Sequence, residues 1–155
     1  MGVMEAYEVF ENAEKVRQEQ IEQHANVFLS VLDEMKIDYG DFDQHIPETG
    51  PAIIVANHPF GGADAIGLSG LCISKRPDYQ VLANAITAEL PGTKKWTIPL
   101  QILGEDGAIH SNRTAMKGAL ALLRAGGILV VFPAGAVSRW RPELGRVADP
   151  AWTGH

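Results

Sequence analysis

Three observations predict an α/β fold: a mixed, largely parallel sheet flanked by helices, preceded by an N-terminal helical segment. Two short β-branched runs, residues 52–56 and 128–132, are apolar along their whole length, as strands buried on both faces are. Each run breaks at a Pro- and Gly-bearing loop. Helical and strand patterns alternate between them. The composition suits a single globular domain: 155 residues, 46% of them apolar and 21% charged. Those proportions exclude disordered, collagen-like and coiled-coil chains.

Residues 5–36 read as one long helix or two joined ones. Val9, Phe10, Ala13 and Val16, then Ile21, Ala25, Phe28, Leu32 and Met35, recur at steps of three and four. Gly40 and the polar run 41–44 end the segment. The division expected is an acidic helical segment over 1–40 and an α/β domain over 41–155. After a Pro/Gly turn at 46–51, residues 52–56 form the first strand and a loop follows through Asp64. A helix is expected from Asp64, although Gly67 and Gly70 weaken it. Residues 80–83 suit a second strand. Residues 98–103 suit an edge strand, because Pro99 has no donor for an inner ladder. Ser111-Asn112 offers a cap for a helix over 113–125, which Gly126-Gly127 stops. Residues 128–132 are the clearest strand.

The net charge of −6 belongs to one end of the chain. Residues 1–40 carry nine acids and three bases, while the other 115 residues carry ten of each. From Arg113 onward six bases face two acids. That excess suits a phosphate-bearing substrate or an anionic lipid surface; solvated helix and loop charges are the alternative. Nothing in the pattern suggests nucleic acid. Lys94-Lys95-Trp96 reads either as a lipid head-group contact or as an exposed basic turn. The lone Cys72 excludes an intramolecular disulfide and a multi-cysteine zinc site, and its apolar helix makes it core. The other histidines lack metal-ligand spacing, so no metal is expected. No apolar run nears the roughly 18 residues of a membrane span. The first 20 residues are acidic and lack an apolar signal core, which predicts a cytoplasmic location.

Two constellations carry chemistry. His58 and Asp64 follow the first strand, where α/β proteins place ligands. Asn57, Pro59, Gly61 and Gly62 turn the chain between strand and helix. An Asp near one imidazole nitrogen fixes the tautomer and stabilises the imidazolium formed when the other nitrogen takes a proton. The plainer reading has His58 closing the strand and Asp64 capping the helix. The second constellation follows residues 128–132. Pro133 stiffens the exit, Gly135 frees backbone N–H groups for an anion, and Ser138 and Arg139 could clamp a phosphate. Its plainer reading is a turn with a surface arginine. Walker A, G-x-G-x-x-G and G-x-S-x-G motifs are absent.

Residues 53–68, IIVANHPFGGADAIGL, resemble the His–Asp motif of the PlsC-like glycerolipid and lysophospholipid acyltransferases. Residues 129–139, LVVFPAGAVSR, resemble that superfamily's Phe-Pro-Glu-Gly segment. The likeness is greatest to its hemolysin-like and ornithine-lipid-type branch and runs from about Ile46 to Trp152. It implies O-acyl transfer from acyl-CoA or acyl-carrier protein to a lysophospholipid or related acceptor, peripherally at the inner membrane face. The thioester would be a co-substrate, with no separate cofactor. His58 would be the base, Asp64 its orienter, and Gly135, Ser138 and Arg139 would hold the acceptor's acidic head. The sequence departs in having five residues between His58 and Asp64 and Ala134 in place of Glu. It also ends before the superfamily's last strands, which reads as an incomplete C-terminus. Two alternatives follow: a non-catalytic lipid- or acyl-CoA-binding remnant, and a thioester hydrolase using the same pair.

Overall fold

In a computed structural model of the chain, residues 3–19, 27–36, 45–101 and 107–152 are described. The elements run α1 (Val3–Glu19), α2 (Val27–Glu34), β1 (Ala52–Val55), α3 (Gly62–Lys75), β2 (Tyr79–Asn84), β3 (Thr97–Leu100), α4 (Ala108–Arg124), β4 (Ile128–Val131), β5 (Arg139–Arg141) and β6 (Arg146–Ala148). The first four strands form one sheet in the order β1-β4-β2-β3, and every neighbouring pair is parallel. Among the described residues, antiparallel pairing is confined to the β5–β6 hairpin. The expected α/β fold with its parallel sheet is therefore present.

Strand alternation sends side chains to two cores. Tyr79, Val81, Ile128 and Val130 face α3 and its buried Cys72. Leu82, Ile98 and Leu129 face α4 through Ala115 and Ala119. Helix α4 covers β3, β2 and β4 but stops short of β1. Ile53 and Val55, on that same face of the edge strand, are exposed as a result. Pro99 lies in β3, at the opposite edge, where its missing donor costs no ladder bond.

The N-terminal helices pack on the outside of α3. Phe10, Ala13, Val27, Phe28, Val31 and Leu32 close a third cluster around Ile66. Phe10 and Phe28 meet edge to face, 6.0 Å between centroids. Gly70 permits this layer: a Cβ there would sit 2.6 Å from a Leu29 side-chain carbon. The glycine that weakens α3 by propensity is thus what lets α2 approach it. Ile21, Ala25 and the expected boundary at 40/41 lie outside the described residues.

Two expectations shift. Helix α3 begins at Gly62, so Gly62 is its first residue and not part of the turn. Helix α4 begins at Ala108 behind a left-handed Gly107, which places Ser111 and Asn112 inside the helix. Asn112 instead acts like a strand partner. Its side chain accepts from the Gln101 N–H at 2.8 Å and donates to the Gln101 carbonyl at 3.0 Å, stitching the end of β3 to α4.

The end of the sheet away from the strand C-termini is held by Arg76, only 6% exposed. Its guanidinium makes a two-pronged bond to Asp78 (2.9 and 2.6 Å). It also donates to the carbonyls of Pro47, Gly50 and Gly126. One planar fork therefore joins the segments that enter β1, β2 and β4.

Candidate active site

Strands β1 and β4 are parallel neighbours with Val55 beside Val131. Their continuations, Asn57-His58 and Phe132-Pro133, therefore emerge side by side. The Ala56 N–H extends the ladder to the Val131 carbonyl at 3.2 Å. This brings the His58 ring onto Phe132, with centroids 4.3 Å apart and planes 33° apart. The aromatic face restricts the imidazole from one side.

Asp64, in the first turn of α3, reaches back to the imidazole. Its Oδ2 lies 3.3 Å from His58 Nδ1, and the two side chains are 17% and 18% exposed. The contact is close but poorly aligned, so Nδ1 is a buried nitrogen without a formed hydrogen bond. Catalytic hydrogen bonds are commonly this loose before substrate binds. The same Oδ2 accepts the Phe60 N–H at 2.7 Å, which holds the loop between His58 and the helix. Asp64 therefore pins the loop and faces the imidazole, and does not cap α3. The helix cap is Gly61, whose φ of +66° needs glycine and whose missing Cβ leaves room for Val137.

On the opposite bank, Ser138 joins the two loops. Its N–H donates to the His58 carbonyl at 2.8 Å. Its hydroxyl donates to Asp149 in a very short bond. Asp149 Oδ1 also accepts the His58 N–H at 3.2 Å, and Oδ2 accepts Trp152 Nε1–H at 3.0 Å. Those donors, the Ser138 hydroxyl foremost, hold the Asp149 carboxyl below the usual carboxylate range. Gly135 is left-handed (φ +64°), and its N–H closes a tight turn onto the Phe132 carbonyl at 3.0 Å. Both Ser138 donors and the Gly135 N–H thus serve the loops. Pro133 is half-buried beside Phe132, and Arg139 is exposed on β5, opposite Ala148.

A cleft opens beside the pair. Asn57, Pro59 and Phe60 form one wall, and Ser138, Val147, Ala148 and Asp149 form the other. His58 is flanked by two of these lining residues. A second groove lies at the far edge of the sheet, between β3 and the start of α4, and includes His110 but no carboxylate. Lys94-Lys95-Trp96 does not offer a free aromatic to lipid. Trp96 packs into two core clusters beside Tyr79, and Lys95 Nζ sits 4.4 Å over its ring. Among the described residues, no helix is long and apolar enough to cross a membrane, and no three His, Cys, Asp or Glu gather to hold a metal.

Sequence reading missed Phe132 as a partner of His58 and missed Asp149 altogether. Phe132 could have been found from the pairing of the two motif-bearing strands. Asp149 is 91 residues from His58, in a stretch without motif, and only the folded chain brings it in.

A His–carboxylate pair beyond the C-terminal end of a parallel strand, beside an open cleft, can take a proton from a hydroxyl or a water. Residues 41–148 match the Acyltransferase family, and the chain belongs to it. Over 111 residues it is 30% identical to a Lyso-glycine lipid O-acyltransferase of Phocaeicola vulgatus. That alignment covers 70% of this chain and 37% of the relative, so the chain spans well under half of that protein's length. No solved structure matches.

Proposed function

We propose that this chain carries the catalytic centre of a lipid O-acyltransferase. The donor is an acyl thioester, of CoA or of acyl-carrier protein, and the acceptor is the hydroxyl of a lysolipid. The observation that carries this reading is the Asp64–His58–Phe132 stack at the ends of β1 and β4, beside the cleft. The family and the named relative support the same chemistry. The relative's name, which specifies a lyso-glycine lipid, also favours an acceptor whose head carries a carboxylate.

The mechanism needs no covalent enzyme intermediate. Asp64 faces Nδ1 of His58, leaving the other ring nitrogen as the base. That nitrogen takes the acceptor's hydroxyl proton as the oxygen attacks the thioester carbonyl. Asp64 stabilises the imidazolium so formed. The tetrahedral adduct expels the thiolate, which recovers the proton from His58. The products are an ester and a free thiol. Arg139 supplies positive charge for the acceptor's acidic head, while Gly135 and Ser138 shape the bank on which it rests. The protein works peripherally, at the cytoplasmic face of an anionic membrane.

The test is turnover by the purified full chain of a radiolabelled acyl thioester with a panel of lysolipids. Acylated lipid that disappears in His58→Ala supports the proposal. Free fatty acid without acylated lipid would indicate a thioester hydrolase, and thioester binding without any product a non-catalytic remnant.

A further inference from the structure

The β5–β6 hairpin is the least buried element near the cleft, and none of its residues belongs to a core cluster. Trp140 stands directly across from Val147 on one face of the ribbon. They are 61% and 56% exposed, Leu144 at the tip is 52% exposed, and Phe60 across the cleft is 78% exposed. Val147 and Phe60 are also cleft walls, so the apolar rim is continuous with the candidate active site. A two-stranded ribbon with large side chains bare on one face is marginal in water.

The charges on the ribbon are one-sided. Arg141 lies directly opposite Arg146, a like-charge pair that disfavours the ribbon in water. Between residues 139 and 148 three arginines face a single acid, Glu143, which is bonded to Arg141 at 2.6 Å. Alternation puts Trp140 and Val147 on one face of this narrow ribbon and Arg139, Arg141 and Arg146 on the other. An apolar face backed by long cationic side chains suits the boundary of an anionic bilayer, where aromatic rings lie at head-group depth and cationic stems reach around to lipid phosphates or carboxylates.

We propose that the β5–β6 hairpin, together with Phe60, docks on an anionic lipid surface and holds the mouth of the cleft against it. The acceptor then enters from the bilayer without crossing water. This rests on the acyl-transfer reading for the lipid's role as substrate, but the docking itself is measured without turnover.

The experiment is co-sedimentation of the full chain with vesicles of phosphatidylcholine containing phosphatidylglycerol, and with phosphatidylcholine alone. The variants are Trp140→Glu and Arg146→Glu. The expected result is binding to the anionic vesicles. Trp140→Glu weakens it about tenfold, from loss of a large apolar contact area and addition of a like charge to the lipid. Arg146→Glu weakens binding to the anionic vesicles only. Unchanged circular dichroism melts show that both variants are folded. A second measurement needs neither variant. Cys72 is fully buried with its thiol pushed up to about 12 by burial, so Leu144→Cys is labelled selectively with a polarity-sensitive dye. Its emission shifts to the blue on anionic vesicles.

Wild type that stays in the supernatant, or Trp140→Glu that binds as well as wild type, overturns the proposal. Absence of vesicle binding together with a dye shift on adding another protein would mark the hairpin as a protein-docking element. Activity on a short-chain, monomeric lysolipid separates the two readings. Turnover there with no vesicle binding overturns docking and leaves the acyl-transfer reading standing. Vesicle binding with no turnover on any acceptor does the reverse.

Discussion

Replacing Arg76 by Met keeps the aliphatic bulk of the side chain and removes its fork. Five hydrogen bonds disappear: two to Asp78 and one each to the carbonyls of Pro47, Gly50 and Gly126. Hydrogen bonds to charged groups contribute roughly 1.5–3 kcal/mol each, but not all of that is lost. The Asp78 side chain is 44% exposed and rehydrates, as do the exposed carbonyls of Pro47 and Gly50. The half-buried Gly126 carbonyl and the loss of one group linking three strand entries dominate. A net destabilisation of roughly 3–4 kcal/mol follows, within the range for breaking one side of a buried pair. A chain of this size loses about 2–4 °C in melting temperature per kcal/mol, so Arg76→Met melts about 10 °C lower. Thermal unfolding followed by far-ultraviolet circular dichroism measures it, with Arg76→Lys as the control. The lysine keeps the charge but not the planar fork and falls between the two. An Arg76→Met midpoint within about 2 °C of wild type would refute the account of Arg76 as the clamp of the sheet. Because Arg76 lies at the other end of the strands, turnover per folded molecule is unchanged.

Four further outcomes are expected. His58→Ala lowers acyl transfer by roughly 10²–10⁴-fold while the melting midpoint stays near that of wild type; a loss below fivefold in a steady-state assay would argue against a base. Gly61→Ala forces a side chain into a left-handed backbone against Val137 and destabilises by about 1–3 kcal/mol, read from denaturant midpoints. Asp149→Ala strips an acceptor from the Ser138 hydroxyl, the His58 N–H and Trp152 Nε1–H; it lowers kcat/KM about tenfold and costs about 1–3 kcal/mol. Asp78 and Asp149 are both held below the usual carboxylate range by their hydrogen bonds, to Arg76 and chiefly to Ser138. Depressed carboxylates lend stability above the unfolded pKa of about 3.9 and lose it as pH falls through the folded value. Wild-type melting temperature therefore drops steeply below about pH 4, and the drop is shallower in Asp149→Ala.

The two motif strands were legible as unbroken apolar runs, at residues 52–56 and 128–132. Burial on both faces holds for β4, whereas β1 is an edge strand whose Ile53 and Val55 are exposed, against expectation. The His58–Asp64 pair was legible because both lie within one loop of a strand end. The start of α4 was not. Asn112 has a cap's chemistry, and only the neighbouring end of β3 reveals that its amide bonds to Gln101 instead. Trp96 beside two lysines carried a surface-like signature locally, yet the fold brings Tyr79 and two cores around it. Gly70 was a liability by propensity and became a contact point once Leu29 arrived.

Local chemistry along the sequence was enough to determine the α/β class, the acyltransferase family likeness and the candidate base with its carboxylate. These depend on neighbours a few residues apart, whose spacing the covalent chain already sets. The tertiary structure decided that β1 and β4 lie side by side, so that Phe132 meets His58 and Asp149 ties both loops together. It also decided that the hairpin bares Trp140 and Val147 beside the cleft. Strand order and hydrogen bonds across 91 residues arise from how whole faces are buried, which no local window of sequence contains.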